Sequence, residues 1–240
     1  MHLFRTIAFA SILAGIIAGS AITMVQYVGT TPLILKAETY EDVANRPTAV
    51  HAHDPSPGQE TSIHEHGNDE ESWQPADGLE RTAFSLVANI LTAVGYAFVL
   101  CGLMSATAGE LNWKRGLLWG LAGFACVMLA PMMALPPELP GSPAGPLEAR
   151  QVWWVGTALA TAFGIGLATY VRKPWAIALG VATIVAPHFV PAPMPSGVEL
   201  PLAPEELEHQ FILAAAITSL IFWALLGASS GAFLKRGLKR

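Results

Sequence analysis

The segment IAFASILAGIIAGSAITMVQYV, residues 7–28, contains no charged side chain. A helix needs roughly 20 apolar residues to cross a hydrocarbon core of about 30 Å, and this segment is long enough. A cleaved secretory signal peptide is the alternative interpretation, but its apolar region usually has only about 7 to 15 residues. The sequence therefore predicts an uncleaved transmembrane helix, extended by residues 31–35, so that 1–35 form the first membrane segment.

Five further apolar segments follow, and the composition agrees with a membrane protein. Hydrophobic residues make up 52% of the chain and charged residues 13%, about half the charged share of a soluble domain. We expect an all-α integral membrane protein whose six transmembrane helices form three helical hairpins. The fifth helix is expected to be short or broken at Pro187, because a proline interrupts helical hydrogen bonding. We expect residues 82–240 to form the five-helix remainder of a single membrane domain. The five segments are 82–104, 116–135, 152–171, 175–190 and 211–233.

Basic residues indicate the orientation, because lysine and arginine in short loops stay on the cytoplasmic side. With the N-terminus inside, the inner segments contain Arg5, Lys114, Arg115, Arg172, Lys173, Lys235, Arg236, Lys239 and Arg240. The outer segments contain only Lys36, Arg46, Arg81 and Arg150. We therefore expect a multi-pass protein with both termini in the cytoplasm and the first loop on the outer, periplasmic side.

That first loop, residues 36–81, is acidic and contains two His-x-His pairs. In an extended chain both imidazoles of such a pair lie on one face, where their neutral nitrogens can share a divalent cation. The sequence predicts a loop that captures metal. The alternative is a solvated acidic linker whose histidines bind nothing. The predicted metal ligands in the loop are His51, His53, His64, Glu65 and His66.

These ligand types also limit which metal is expected. Imidazole with carboxylate suits Co²⁺, Ni²⁺, Zn²⁺ or Cu²⁺ better than Mg²⁺ or Ca²⁺, but it does not rank the first four. We expect no tightly bound cofactor, only an ion that is captured or transported.

The membrane segments offer few polar side chains, which are costly there and usually functional. His188 follows Pro187 near the outer end of the fifth helix, and a proline frees a backbone carbonyl that could hold an entering ion together with the imidazole. The alternative is a hydrogen-bonded or hydrated histidine at the interface. Asn89 and Gln26 are weaker pore-lining candidates, because each can equally bond a neighbouring helix.

Small and sulfur-containing residues in these segments predict packing. Cys101 and Cys126 both lie in apolar segments, so no disulfide is expected. Glycine pairs spaced four residues apart predict close helix contacts. The pairs are Gly15 with Gly19, Gly116 with Gly120, and Gly227 with Gly231.

Several enzyme signatures are missing from the sequence. It contains no Walker A loop, no G-x-G-x-x-G and no H-E-x-x-H, so no nucleotide-driven step and no zinc-protease site is indicated. We expect a protein that is not an enzyme and that binds no nucleic acid.

Several short phrases lie near the predicted outer helix ends. They are PLILKAETYE at 32–41, Trp73, PADGLERT at 75–82, LAP at 129–131 with LPPELPG at 135–141, ARQVWW at 149–154 and APH at 186–188. In these phrases, and over nearly its whole length, the chain resembles the CbtA family of predicted cobalt transporter subunits. Glu41, Glu80 and His188 fall within the phrases, which makes them further candidate metal ligands.

The resemblance implies a subunit for cobalt uptake in the bacterial inner membrane, linked to cobalamin synthesis. It also implies a small, single-span, histidine-bearing partner of the CbtB type within the lipid bilayer. A homo-oligomer is a further alternative. Our first hypothesis is that the loop passes Co²⁺, with Ni²⁺ or Zn²⁺ as alternatives, to a vestibule near Glu80, Glu41 and His188. The second is a metal-sensing or assembly membrane protein without transport activity of its own.

Overall fold

The structure, a computed structural model, describes residues 2–45, 75–107, 109–195, 197 and 200–238. Over these ranges the chain forms seven main helices and no strand. We label them α1 (His2–Val28), α2 (Thr31–Asn45), α3 (Leu79–Ala106), α4 (Trp113–Phe124), α5 (Leu147–Val171), α6 (Pro174–Val185) and α7 (Glu205–Leu238). A π-helical turn (Ala125–Leu129) and a final α-turn (Ala130–Met132) prolong α4, and a 3₁₀ turn (Ala186–Phe189) follows α6.

Five of these helices are long and apolar enough to cross a membrane: α1, α3, α4 with its extension, α5 and α7. An all-helical membrane architecture is thereby confirmed. The predicted fifth span, residues 175–190, corresponds to the helix Pro174–Phe189, which is apolar but shorter than the other five. Its α-helical part ends at Val185, just before Pro187, which has no N–H to continue the α-helical hydrogen bonding. The six-span topology and its orientation stay predictions.

The first loop begins differently from the sequence expectation. Helix α1 ends at Val28, and a turn closed by bonds from Gly29 N to Val25 O and from Leu33 N to Thr30 O leads into α2. Residues 31–35 therefore start a second helix instead of extending α1, and residues 36–45 are helical instead of loop. Pro32 lies in the first turn of α2, where its missing N–H costs nothing.

Helix α2 is held by a small apolar cluster on the start of α7. Ala37 is fully buried there, and Tyr40 packs beside Leu207 and Phe211. Because these contacts fix α2 next to the beginning of α7, α2 covers one end of the bundle.

The alternating helix directions place the ends of α1, α4 and α6 and the starts of α3, α5 and α7 at this same end, which we call the upper end. The described charges separate between the two ends. The upper end contains Glu38, Glu41, Asp42, Asp77, Glu80, Glu138, Glu148, Glu205, Glu206 and Glu208 with Lys36, Arg81 and Arg150. The lower end contains Arg5, Lys114, Arg115, Arg172, Lys173, Lys235 and Arg236 with Glu110. If the positive-inside rule holds, the upper end is the outer one.

Helix α1 packs between α3 and α7 through very small side chains. The buried residues at the contact with α3 are Ala10, Ala14, Ala18, Ala93 and Ala97, which we call the alanine seam. Gly15 and Gly19 lie directly against the backbones of Val94 and Ile90. The predicted role of this glycine pair in close packing is confirmed.

A second close contact joins α4 to α7. An added Cβ at Gly116 would lie 2.2 Å from the Gly227 carbonyl oxygen, and one at Gly120 would lie 2.1 Å from the Trp223 carbonyl oxygen. The two predicted pairs therefore meet across one interface, where the helix backbones touch. Helices α5 and α6 pack on each other and join the rest of the bundle mainly at the π-helical turn of α4.

We expect Gly116→Ala to lower the stability of the purified protein. The added methyl group would meet backbone atoms of α7, which cannot move aside as a flexible side chain can. Overpacking of this kind costs about 1 to 3 kcal/mol. Thermal unfolding in detergent measures the effect. Gly156→Ala in α5 is the matched control, since a Cβ there meets nothing within 4 Å, and equal melting temperatures for the two variants would contradict the close contact.

Candidate functional site

A cavity of about 480 Å³ lies at the upper end between α1, α2 and α3. We call it the α1–α3 cavity. Ten of its fourteen lining residues carry a hydroxyl, amide or charged group, which is unusual for a space between membrane helices, although much of the lining surface comes from apolar atoms. The polar lining residues are Thr23, Gln26, Tyr27, Thr30, Thr31, Asp77, Arg81, Thr82, Ser85 and Asn89, with Ile34, Leu35, Gly78 and Ala88.

An ion-pair cluster lies at the mouth of this cavity. The Arg81 guanidinium binds both carboxylate oxygens of Glu38, with 2.9 Å between Nη1 and Oε2. Arg81 Nη1 also lies 3.0 Å from Asp77 Oδ1. We call this bidentate ion pair the Arg81–Glu38 fork. The side chains of Arg81 and Glu38 are each 31% exposed, so the fork is partly withdrawn from water, and charge-assisted hydrogen bonds are stronger away from water. The pair fixes α2 to the first turn of α3.

The polar wall of the cavity lies deeper, eight residues or about 12 Å further along α3. We define it as Thr23, Gln26 and Asn89. Asn89 Nδ2 donates to Gln26 Oε1 at 2.6 Å and to Thr23 Oγ1 at 2.9 Å, and Thr23 in turn donates to the Gly19 carbonyl at 2.9 Å. Both amides were predicted either to line a pore or to bond a neighbouring helix. The bond between α1 and α3 is confirmed, and both amides also line this cavity, whereas a pore stays a prediction.

A second cavity, of about 320 Å³, lies beyond this wall, and we call it the α1–α7 cavity. Gln26, Thr30, Ile34 and Asn89 line both spaces. On its far side the second cavity is lined by α7, including the buried Thr218 and the neighbouring Ser219. A polar layer therefore continues from α1 and α3 to α7.

The predicted site residues are only partly placed by the structure. His51, His53, His64, Glu65 and His66 lie outside the described residues, so their role stays a prediction. Glu41 lies in α2 and is half-buried, whereas Glu80 lies in the first turn of α3 and is exposed. Within the described ranges, neither of these carboxylates nor His188 lines either cavity.

His188 lies in the 3₁₀ turn after α6 and contacts the upper end of α4. Its Nε2 lies 3.0 Å from the Ala130 carbonyl oxygen, and its ring packs edge-on against Trp153 with 6.0 Å between centroids. Because a carbonyl can only accept, Nε2 donates this hydrogen bond. The carbonyl that His188 meets is thus one from α4, not the one that Pro187 frees in its own helix.

Across the part of the chain that the structure describes, no three His, Cys, Asp or Glu side chains are placed to hold a metal ion. The three residues Glu41, Glu80 and His188 are therefore not assembled into one centre. What the upper end offers instead is a cavity of about 480 Å³ with carboxylates at its mouth and neutral amides at its base. Such an arrangement suits passage of a cation better than tight binding.

Sequence reasoning did not select Glu38, Asp77 and Arg81. All three lie within the phrases at 32–41 and 75–82 that resemble the CbtA family. The sequence therefore indicates where they lie but not that they pair with one another. Nothing in the sequence indicates that a carboxylate and a guanidinium 43 residues apart form a fork.

We expect the Arg81 and Glu38 side chains to be energetically coupled by about 1 kcal/mol, at the top of the usual range for exposed pairs, because the contact is bidentate and partly buried. A double-mutant cycle with Glu38→Gln and Arg81→Gln, followed by thermal unfolding, measures the coupling. The control is Arg150 with Glu138, a single 2.7 Å contact at the same end. Equal coupling in the two pairs would contradict a special role for the fork.

No curated protein and no solved structure matches this chain. A family model does match: CbtA, described as a probable cobalt transporter subunit, covers residues 4–235 and so nearly the whole sequence. The match includes every described helix that is long enough to cross a membrane. The chain therefore belongs to the CbtA family of probable cobalt transporter subunits.

Proposed function

We propose that this protein is a bacterial inner-membrane subunit for the uptake of a divalent transition metal, cobalt, and that the ion enters through the α1–α3 cavity. The observation that carries the proposal is the polar cavity between membrane helices of a chain in a cobalt transporter family. Polar groups at this depth are costly unless they serve a passage or a site.

The first step is capture by the acidic loop. Its two His-x-His pairs supply neutral nitrogen ligands, and its carboxylates raise the local cation concentration. The described carboxylates of the upper end add to the same negative potential. In this proposal Glu41, Glu80 and His188 are additional surface ligands along the approach.

The second step takes place at the mouth. An entering cation competes with Arg81 for the carboxylates of Glu38 and Asp77, because each oxygen that bonds the guanidinium is an equally good ligand for a hard or borderline cation. Release of Arg81 from Glu38 also frees α2 from α3. The ion pair thus closes the entrance until a cation replaces the arginine.

The third step is passage along the polar wall. Six water molecules occupy about 180 Å³ at roughly 30 Å³ each, so the 480 Å³ cavity admits a hydrated ion. The carbonyl oxygens of Gln26 and Asn89 and the Thr23 hydroxyl can replace part of the hydration shell without adding a net charge. Weak neutral ligands let the ion leave again.

Since the family is described as a subunit, transport is proposed to need a second component. A small single-span membrane protein with histidines is our candidate. It would take over the ion or complete the path within the bilayer.

Removal of the loop histidines tests capture. The quadruple variant His51→Ala, His53→Ala, His64→Ala and His66→Ala is expected to raise the cobalt concentration for half-maximal uptake while leaving the maximal rate nearly unchanged. Uptake of radiolabelled cobalt by cells measures both. Normal uptake by this variant at limiting cobalt would show that the loop does not capture the ion.

Replacement of the polar wall tests passage. Asn89→Leu keeps the side-chain size but removes the amide, so the maximal cobalt flux should fall by tenfold or more. Thr169→Val is the matched control, since Thr169 is exposed and bonds only within its own helix, to Ile165 O. The assay uses proteoliposomes with and without the small partner. Unchanged flux in the Asn89 variant would exclude this route, and no flux in any preparation would favour the metal-sensing function.

A further inference from the structure

The break between α1 and α2 leaves backbone carbonyls without a backbone partner. Helix α1 ends at Val28 and α2 begins at Thr31. Among the described residues, no backbone N–H bonds the carbonyl oxygens of Tyr27, Val28 or Gly29. Pro32 explains the Val28 carbonyl, because the residue four positions further along has no N–H to donate. Broken membrane helices expose carbonyls of this kind where they line a cavity, and such carbonyls coordinate cations such as Na⁺.

Two buried threonine side chains lie at this break. Thr30 is 8% exposed, and Thr218 on α7 is 6% exposed. Both line the α1–α7 cavity, and a Cβ added to Gly29 would lie 3.7 Å from Thr218 Oγ1. Within the described ranges neither hydroxyl has a hydrogen-bond partner, whereas Thr157 and Thr161 each donate to the carbonyl four residues back. Because an unpaired buried hydroxyl is costly, these two hydroxyls indicate a ligand in the cavity.

The α1–α7 cavity is polar without being charged. None of the described residues that line it is Asp, Glu, His, Lys or Arg. The cost of moving an ion out of water rises with the square of its charge, so a divalent ion would cost about four times as much here as a monovalent one. Neutral oxygen ligands alone therefore favour a monovalent cation, and 320 Å³ holds such an ion with several water molecules. The polar lining residues are Gln26, Thr30, Asn89, Thr92, Thr218 and Ser219.

We propose that the α1–α7 cavity binds an alkali metal cation at the break between α1 and α2, with the hydroxyl oxygens of Thr30 and Thr218 as ligands. The Asn89 amide supplies a third oxygen. Its Nδ2 donates to Gln26 and Thr23, which leaves Oδ1 for the ion. The free carbonyls at the break and retained water molecules complete the coordination shell. This site shares no ligand with the histidine loop or with the Arg81–Glu38 fork.

The role of this cation, though not its binding, rests on the proposed uptake function. Gln26, Thr30 and Asn89 line both cavities, so an alkali cation reaches its site through the α1–α3 cavity from the upper end. A charge on one side of the polar wall also changes the potential on the other side, where the cobalt ion passes. The gradient of the alkali cation would thereby supply energy for uptake in a chain that has no Walker A loop.

Thermal unfolding of the purified full-length chain in detergent tests the site, because a ligand that binds the folded state raises the melting temperature. NaCl or KCl is titrated against choline chloride at constant ionic strength, and at least one of the two salts should stabilise the wild type. Thr218→Val keeps the side-chain shape but should need about tenfold more salt for half of the shift. Thr218→Ser keeps the hydroxyl and should respond like the wild type. Thr157→Val is the matched control, since Thr157 is equally buried but bonds within its own helix.

The loop variant without its four histidines should keep the full response, which separates this site from the loop. A wild type that NaCl and KCl stabilise no more than choline chloride does would overturn the proposal, and so would a full response in Thr218→Val. Cobalt flux in proteoliposomes separates this inference from the uptake function. If the wild type transports cobalt but binds neither alkali cation, the site is wrong and the uptake function stands. If an alkali cation binds through Thr218 but no preparation transports cobalt, the site stands and the uptake function fails.

Discussion

Helix α1 lies so close to α3 and α7 that only alanine, glycine and serine fit along much of its length, and the architecture depends on this contact. Inside a bilayer the hydrophobic effect does not drive helices together, so close backbone packing has to replace it. The alanine seam and the Gly116–Gly227 contact supply that packing. The seam has almost no free volume, and both described cavities lie above it, at the upper end. The position of the cavities is thus a consequence of how the helices are held.

The sequence predicted the membrane helices well because apolar segments of about 20 residues have few alternative structures. It did not predict α2, because residues 31–45 combine an apolar start with Lys36, Glu38 and Glu41, a composition that suits a loop as well as a helix. The ion pair between Glu38 and Arg81 and the packing of α2 on Leu207 and Phe211 make the difference. That packing joins positions more than 160 residues apart along the chain.

The residues of the candidate site also fall into two groups, those that the sequence indicates and those whose contacts only the fold reveals. Gln26 and Asn89 could be selected from sequence, since amides inside membrane segments are rare and costly. The partners of Arg81 and His188 could not, because both contacts join residues that are far apart in the chain and meet at the upper end only in the fold. Arg81 contacts Glu38 across the whole first loop, and His188 contacts Ala130 from a different hairpin. Glu80 precedes Arg81 directly, yet it is exposed while Arg81 lines the cavity, because adjacent helical positions point about 100° apart.

The π-helical turn in α4 separates two packing registers on one helix. Below it, Gly116 and Gly120 hold α4 against α7; above it, the Ala130 carbonyl accepts the His188 bond from the α5–α6 hairpin. The Ala130 N–H bonds five residues back, to the Ala125 carbonyl, so the turn contains one residue more than an α-helix would need. An extra residue of this kind turns the helix beyond it by about 100° relative to an uninterrupted α-helix. The face of α4 that meets the α5–α6 hairpin is thereby set independently of the face that meets α7, and one helix serves two interfaces with different registers.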